Sequence, residues 1–334
     1  MRALVASCAL AAVAGAALLA QASPPQDFAA ARQAVTSLSQ MHALLVSHRG
    51  ELVLEHYGAG RSATRHANIK SAAKSVLSTL TGIAIEQKLL PGLDEPIARW
   101  FPELRKDPDP RKASITVEQL LTMRTGLQST SGGNYGPWVA SRNWVRYALG
   151  RPLVSEPGTS MEYSTGTSHI LSALLSRATK RTTRQYANEV LGKPLGFTFA
   201  EWPRDPQGIY FGGNDMLMTP RQMLAYGELY RNRGRAEGRQ VVPAGWVDRS
   251  CVPVTRSRYD PSREYGPGWW VQDIGGHRAC FAWGYGGQYV MVFRELDLVV
   301  VVTSDPNVSD ERHGYRRALF DLLRTHVLPA IAGR

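Results

Sequence analysis

The sequence predicts an α/β (α+β) fold in which an antiparallel sheet is assembled from both ends of the chain, flanked by helices, with a mostly helical segment inserted between the halves. Three observations lead there. Strand-like apolar runs cluster near the start, at 42–48 and 51–57, and near the end, at 269–273, 277–283, 288–294 and 298–303. The residues between, from about 91 to 245, carry helical periodicity broken by Gly- and Pro-rich loops. With 334 residues, 43% of them hydrophobic and 20% charged, the chain can bury a large core, which excludes both a disordered protein and a small disulfide scaffold.

Taken in order, Met1-Arg2 precedes an apolar run ending in Ala20-Gln21-Ala22-Ser23, followed by Pro24-Pro25. This pattern predicts a secretory signal peptide over 1–22 and an exported mature domain over 23–334, periplasmic or extracellular, with no stable membrane insertion after cleavage. An amphipathic helix follows at 28–40, then a hairpin turning at Arg49-Gly50. Over 71–90 the apolar positions Ala73, Val76, Leu77, Leu80, Ile83 and Ala84 repeat with helical spacing, and Pro91-Gly92 stops the helix. Helices are expected at 116–123, 167–179, 183–191 and 220–231, and a closing helix at about 311–328. The α/β part therefore comprises about 28–90 and 246–334, and any active site falls in the seam with the insertion over 91–245.

Charge and cysteines narrow the function. Lys plus Arg number 39 against 28 Asp plus Glu, a net +11. The densest basic stretch, Arg231, Arg233, Arg235 and Arg239, is interleaved with Gly234 and Gly238 and has no aromatic platform, so it reads as a solvated turn and not a nucleic-acid surface. Cys8 falls in the leader, leaving Cys251 and Cys280 as either a disulfide or two separately buried thiols. No metal-ligand spacing is present among the scattered histidines, and no cofactor motif is found.

Ser71-Ala72-Ala73-Lys74 is the Ser-x-x-Lys of this chain. Residues at i and i+3 share a helix face, so the Lys74 amine can reach the Ser71 hydroxyl, and the positive helix end with adjacent Lys70 is expected to favour a neutral amine. A second element, Pro157-Gly158-Thr159-Ser160-Met161-Glu162-Tyr163-Ser164-Thr165, ends a loop before a helix. A third is the strand and turn Phe281-Ala282-Trp283-Gly284-Tyr285-Gly286-Gly287-Gln288. Together these resemble the serine β-lactamase and penicillin-binding family, in the branch of class C enzymes, family VIII esterases and 6-aminohexanoate-dimer hydrolases. Framework phrases at 115–127 and 193–197 agree, and the similarity runs from about 41 to 328.

The resemblance implies a β-lactamase/transpeptidase-like fold and acyl transfer to water. It makes Ser71 the nucleophile, Lys74 and Tyr163 the proton relay, and the N–H groups of Ser71 and Tyr285 the oxyanion hole. Trp283, Gly284, Gly286 and Thr165 are the expected substrate-binding residues. Tyr186-Ala187-Asn188 matches the family's Tyr-x-Asn more literally, but it lies within a helical stretch, whereas Tyr163 follows a Pro-Gly loop. The field of Lys74 and the helix end is expected to favour a Tyr163 phenolate or a shared proton. No lysine stands at the family's Lys-Thr-Gly position, so the usual holder of a β-lactam carboxylate is missing, and an esterase or amidase with little β-lactamase activity is expected. The rivals are a peptidoglycan D-aminopeptidase or carboxypeptidase and a non-catalytic binding protein on the same fold. His169 and Asp215 are looser triad candidates, read as a packed histidine and a turn residue. Oligomeric state is not encoded in these patterns.

Overall fold

The computed structural model describes residues 28–307 and 312–332; the expected signal peptide over 1–22 and Cys8 lie outside them. Eight strands form one antiparallel sheet: β1 (Met41–His48), β2 (Glu51–Tyr57), β3 (Thr255–Arg256), β4 (Glu264–Tyr265), β5 (Trp270–Ile274), β6 (His277–Gly284), β7 (Gln288–Phe293) and β8 (Leu298–Ser304). Their order is β2-β1-β8-β7-β6-β5-β4-β3, so the first hairpin closes against the last strand, with Leu44 opposite Val302 and Val46 opposite Val300. Both chain ends thus build the sheet, as the strand distribution predicts. The two-residue strands β3 and β4 were not expected, because segments that short carry no period-2 signal.

Side chains alternate across the sheet. Leu44, Val46, Val300 and Val302 meet α1 (Ala29–Val35) and the closing helix on one face, while Ala43, Leu45, Val299 and Val301 meet the helical region on the other. Burial on both faces explains why β8 reads as a continuous apolar run. The central helix α2 (Ala73–Glu86) is buried all round from Ala73 to Ala84, so its polar residues need partners. Ser75 and Ser78 donate to the carbonyl oxygens of Gly268 and Pro267, each at 2.6 Å, and Thr79 meets the Tyr226 and Tyr230 hydroxyls, each at 2.7 Å. The two serine bonds pin α2 to the segment entering β5.

The inserted region holds α3 (Thr165–Thr179) and short helices such as Val117–Leu121 and Trp144–Leu149. Helix α4 (Pro220–Arg231) lies on the sheet, where a Cβ on Gly227 would come within 2.5 Å of Val299 Cγ1. The closing helix begins as α5 (Arg312–Leu322) and passes through a wider turn over Leu323–Val327 before resuming. Cys251 and Cys280 are bonded, with Cα atoms 5.5 Å apart, which decides between the two alternatives. The basic stretch is a surface turn: Arg231 pairs with Glu228 at 2.7 Å and Arg233 with Asp248 at 2.5 Å.

Candidate active site

Ser71 lies in a 3-10 turn, Lys70–Ala72, that runs directly into α2. The helix therefore starts tighter than the expected α-turn, and in this geometry positions i and i+3 nearly eclipse. Lys74 Nζ stands 3.1 Å from Ser71 Oγ. Just before the turn, Ala67–Asn68 pairs with Leu217–Met218, and Lys70 adopts a positive φ of 48°. That strained residue is held from two sides: its N–H donates to Asn68 Oδ1 at 2.9 Å, and its ammonium pairs with Asp215 at 3.0 Å. Asp215 also accepts from Asn68 Nδ2 at 2.7 Å. It is thus a local tie for the segment carrying Ser71 and no member of a triad.

Lys74 is 4% exposed and donates to the Gly213 carbonyl oxygen at 2.7 Å. Burial lowers its pKa to about 7, so the neutral amine is accessible near neutrality. The physical cause corrects the expectation, since desolvation supplies the shift and Lys70 is engaged with Asp215. Gly213 is held in turn from beneath. His169 Nε2 lies 2.9 Å from Asp205 Oδ2, and Nδ1 accepts the Gly212 N–H at 3.3 Å. The ring therefore carries its proton on Nε2. Both side chains are fully buried, and although burial would raise the Asp205 carboxyl, bonds from His169 and from the Ile209 and Gln207 N–H groups carry it below its ordinary value. His169 is packed, as expected, but it also shapes the loop that holds Lys74.

Tyr163 arrives from the loop preceding α3. Its carbonyl accepts from Ser129 Oγ at 2.7 Å, and Ser164 caps the helix. Lys74 Nζ lies 4.9 Å from the centre of its ring, and its hydroxyl is near enough to Ser71 for that side chain to influence its ionisation. Burial nonetheless raises the phenol to about 12, with the influence of Ser71 only partly offsetting it. The expected phenolate is therefore corrected: at neutral pH Tyr163 is a protonated phenol. Tyr186 is fully buried and donates to Gln87 Oε1 at 3.0 Å, which makes it a core residue.

The third element closes the site. A Cβ on Gly284 would fall 2.1 Å from the Ile69 carbonyl oxygen, so the end of β6 abuts the backbone just before Ser71. Gly286, with φ of 81°, packs instead on the carbonyl of Asp305, and Thr165 is buried with its hydroxyl 3.0 Å from Ser131 Oγ. Trp283 lines a cavity of about 210 Å³ beside Tyr163, together with Met161, Trp270, Ser257, Arg258 and Arg263. Arg258 and Arg263 carried no local sequence signal, because they lie on a loop between the two shortest strands.

Among the described residues no group of three His, Cys, Asp or Glu side chains is placed to hold a metal ion, and no helix is long and apolar enough to cross a membrane. The Beta-lactamase family model matches residues 31–323. The 6-aminohexanoate-dimer hydrolase of Paenarthrobacter ureafaciens is 23% identical over 300 residues, covering 81% of this chain and 74% of that protein. Among solved structures, EstCE1, a hydrolase with promiscuous acyltransferase activity, superposes with a TM-score of 0.72 at 17% identity, covering 89% of this chain and 99% of that one. A D-stereospecific amidohydrolase from Streptomyces sp. gives 0.66 at 17% identity, over 86% and 97% of the two chains.

Proposed function

The chain belongs to the Beta-lactamase family of serine hydrolases, and on that basis we propose that it hydrolyses a small ester or amide through an acyl-enzyme on Ser71. The observation that carries this reading is the placement of Lys74 Nζ, buried and 3.1 Å from Ser71 Oγ. A neutral Lys74 takes the Ser71 hydroxyl proton as the oxygen attacks the carbonyl carbon. The N–H groups of Ser71 and Tyr285 face the developing oxyanion, a role supported by the contact of Gly284 with the Ile69 carbonyl. The Tyr163 phenol donates its proton to the leaving group and is reprotonated from the Lys74 ammonium. Water then attacks the acyl carbonyl with Lys74 again as base, releasing the acid and restoring Ser71.

The names of a 6-aminohexanoate-dimer hydrolase, a hydrolase with promiscuous acyltransferase activity and a D-stereospecific amidohydrolase support an ester or amide substrate, although other structures with the same fold are named β-lactamases and penicillin-binding proteins. The absence of lysine at 282, where Ala282 stands before Trp283-Gly284, favours esters and amides over lactams. Hydrolysis of short p-nitrophenyl esters compared with a chromogenic cephalosporin tests this: much faster ester turnover supports the reading, and comparable efficiencies refute it. Export is part of the proposal, supported by the leader pattern and by the bonded Cys251 and Cys280. The mature protein should begin near Ser23, as intact mass of the secreted product would reveal.

A further inference from the structure

Arg263 is shared by two cavities. One is the 210 Å³ cavity beside Tyr163, whose walls at Met161, Trp270 and Trp283 are apolar. The other, about 370 Å³, lies against the closing helix and is lined by Arg263, Arg316, Arg317 and Arg324, with Asp260 as its one acid. The Arg263 guanidinium stands 4.9 Å from the Trp283 ring centre and 5.8 Å from that of Trp270, and its Nε donates to Asp260 at 2.8 Å. Asp260 thereby orients the group through Nε.

The second cavity has more positive charge than its own acids neutralise. Arg324 is paired with Asp321 at 2.5 Å, but among the described residues no carboxylate lies within ion-pair distance of Arg316 or Arg317. The Tyr289 hydroxyl receives the fields of both Arg316 and Arg263, and its ring stacks on Trp283 at 6.4 Å. Arg263 thus stands between an apolar cavity beside Tyr163 and an arginine cluster with a phenol beside it. Planar guanidinium groups match a carboxylate in two-point hydrogen bonding.

We propose that this second cavity is an anion subsite, and that the substrate carries a carboxylate at the end of an apolar arm, which Arg263 and Arg316 receive. This rests on the ester or amide hydrolase reading and specifies its substrate class. The arm lies along Tyr163, Trp270 and Trp283, and the charge beyond them fixes its length.

The test has a kinetic and a binding arm. In the first, p-nitrophenyl half-esters of straight-chain dicarboxylic acids are compared with methyl-terminated esters of equal length. The carboxylate-ended ester should be favoured about tenfold or more in kcat/KM at a preferred length, as expected for a charge-assisted hydrogen bond. Arg316→Met, on the half-exposed helix face, and Arg263→Met should each bring the ratio close to unity. In the second arm, calorimetry on Ser71→Ala compares straight-chain dicarboxylates with monocarboxylates, and the tighter binding of the former should disappear in Ser71→Ala/Arg316→Met. Equal binding of the two series, or a preference surviving both methionine variants, overturns the subsite. Selective binding of dicarboxylates by a protein that hydrolyses no ester or amide would uphold the subsite and refute the hydrolase reading.

Discussion

Lys74 Nζ donates to the carbonyl oxygen of Gly213 at 2.7 Å, across 139 residues of sequence. This bond aims the amine. With one proton directed at Gly213, the nitrogen lone pair of the neutral form is left for Ser71 at 3.1 Å.

Depression of the Lys74 pKa to about 7 predicts a rising limb in kcat/KM centred near that pH, because the ammonium cannot accept the Ser71 proton. The same shift has a stability signature. Between about 7 and the ordinary lysine value the folded state holds fewer protons than the unfolded one, so this group's contribution to stability rises as pH rises through that window. Lys74→Met should be inactive yet raise the melting temperature, most strongly below pH 7 and progressively less above it. A flat pH-rate profile from pH 5 to 9 would contradict the assignment.

Tyr163→Phe should lower kcat by at least about 100-fold with little change in KM, since the phenol at about 12 serves as an acid in proton transfer and contributes little to binding. Tyr186→Phe should leave both constants nearly unchanged and cost about 1 kcal/mol of stability, the value of its bond to Gln87. Steady-state kinetics and denaturant unfolding on the two variants check the pair. The reverse ranking would point to the other tyrosine.

His169 and Asp205 act one step removed, through the Gly212 N–H. His169→Ala should loosen the Gly213 carbonyl and lower kcat, with a displaced midpoint of the alkaline-rising limb. A purely structural role would lower the melting temperature and leave that midpoint in place.

Much of this arrangement is legible in the sequence, for physical reasons. The i,i+3 spacing of Ser71 and Lys74 is a local property of a helical turn, and the near-continuous apolar runs of β1, β7 and β8 reflect a sheet buried on both faces. Gly213, Asp205 and Arg263 are different, because their roles depend on contacts made by the fold and leave no local pattern. The ionisation of Tyr163 was misjudged for a related reason: the proximity of Lys74 could be read from motifs, but the burial that outweighs it could not.

Breaking the covalent link between the helix following α4 and strand β6 should be costly. Cys251→Ser/Cys280→Ser is expected to lose about 2–4 kcal/mol of unfolding free energy, with kcat little affected because neither sulfur adjoins Ser71. Urea denaturation with and without reductant measures it, and the variant should show no further response to reductant.

Acylation of Ser71 is the claim on which the rest depends. Protein quenched with acid during turnover of a p-nitrophenyl ester should gain the mass of the acyl group, and peptide mapping should place it on the segment containing Ser71-Ala72-Ala73-Lys74, with no adduct in Ser71→Ala. An adduct on another residue, or undiminished hydrolysis by Ser71→Ala, would contradict the account.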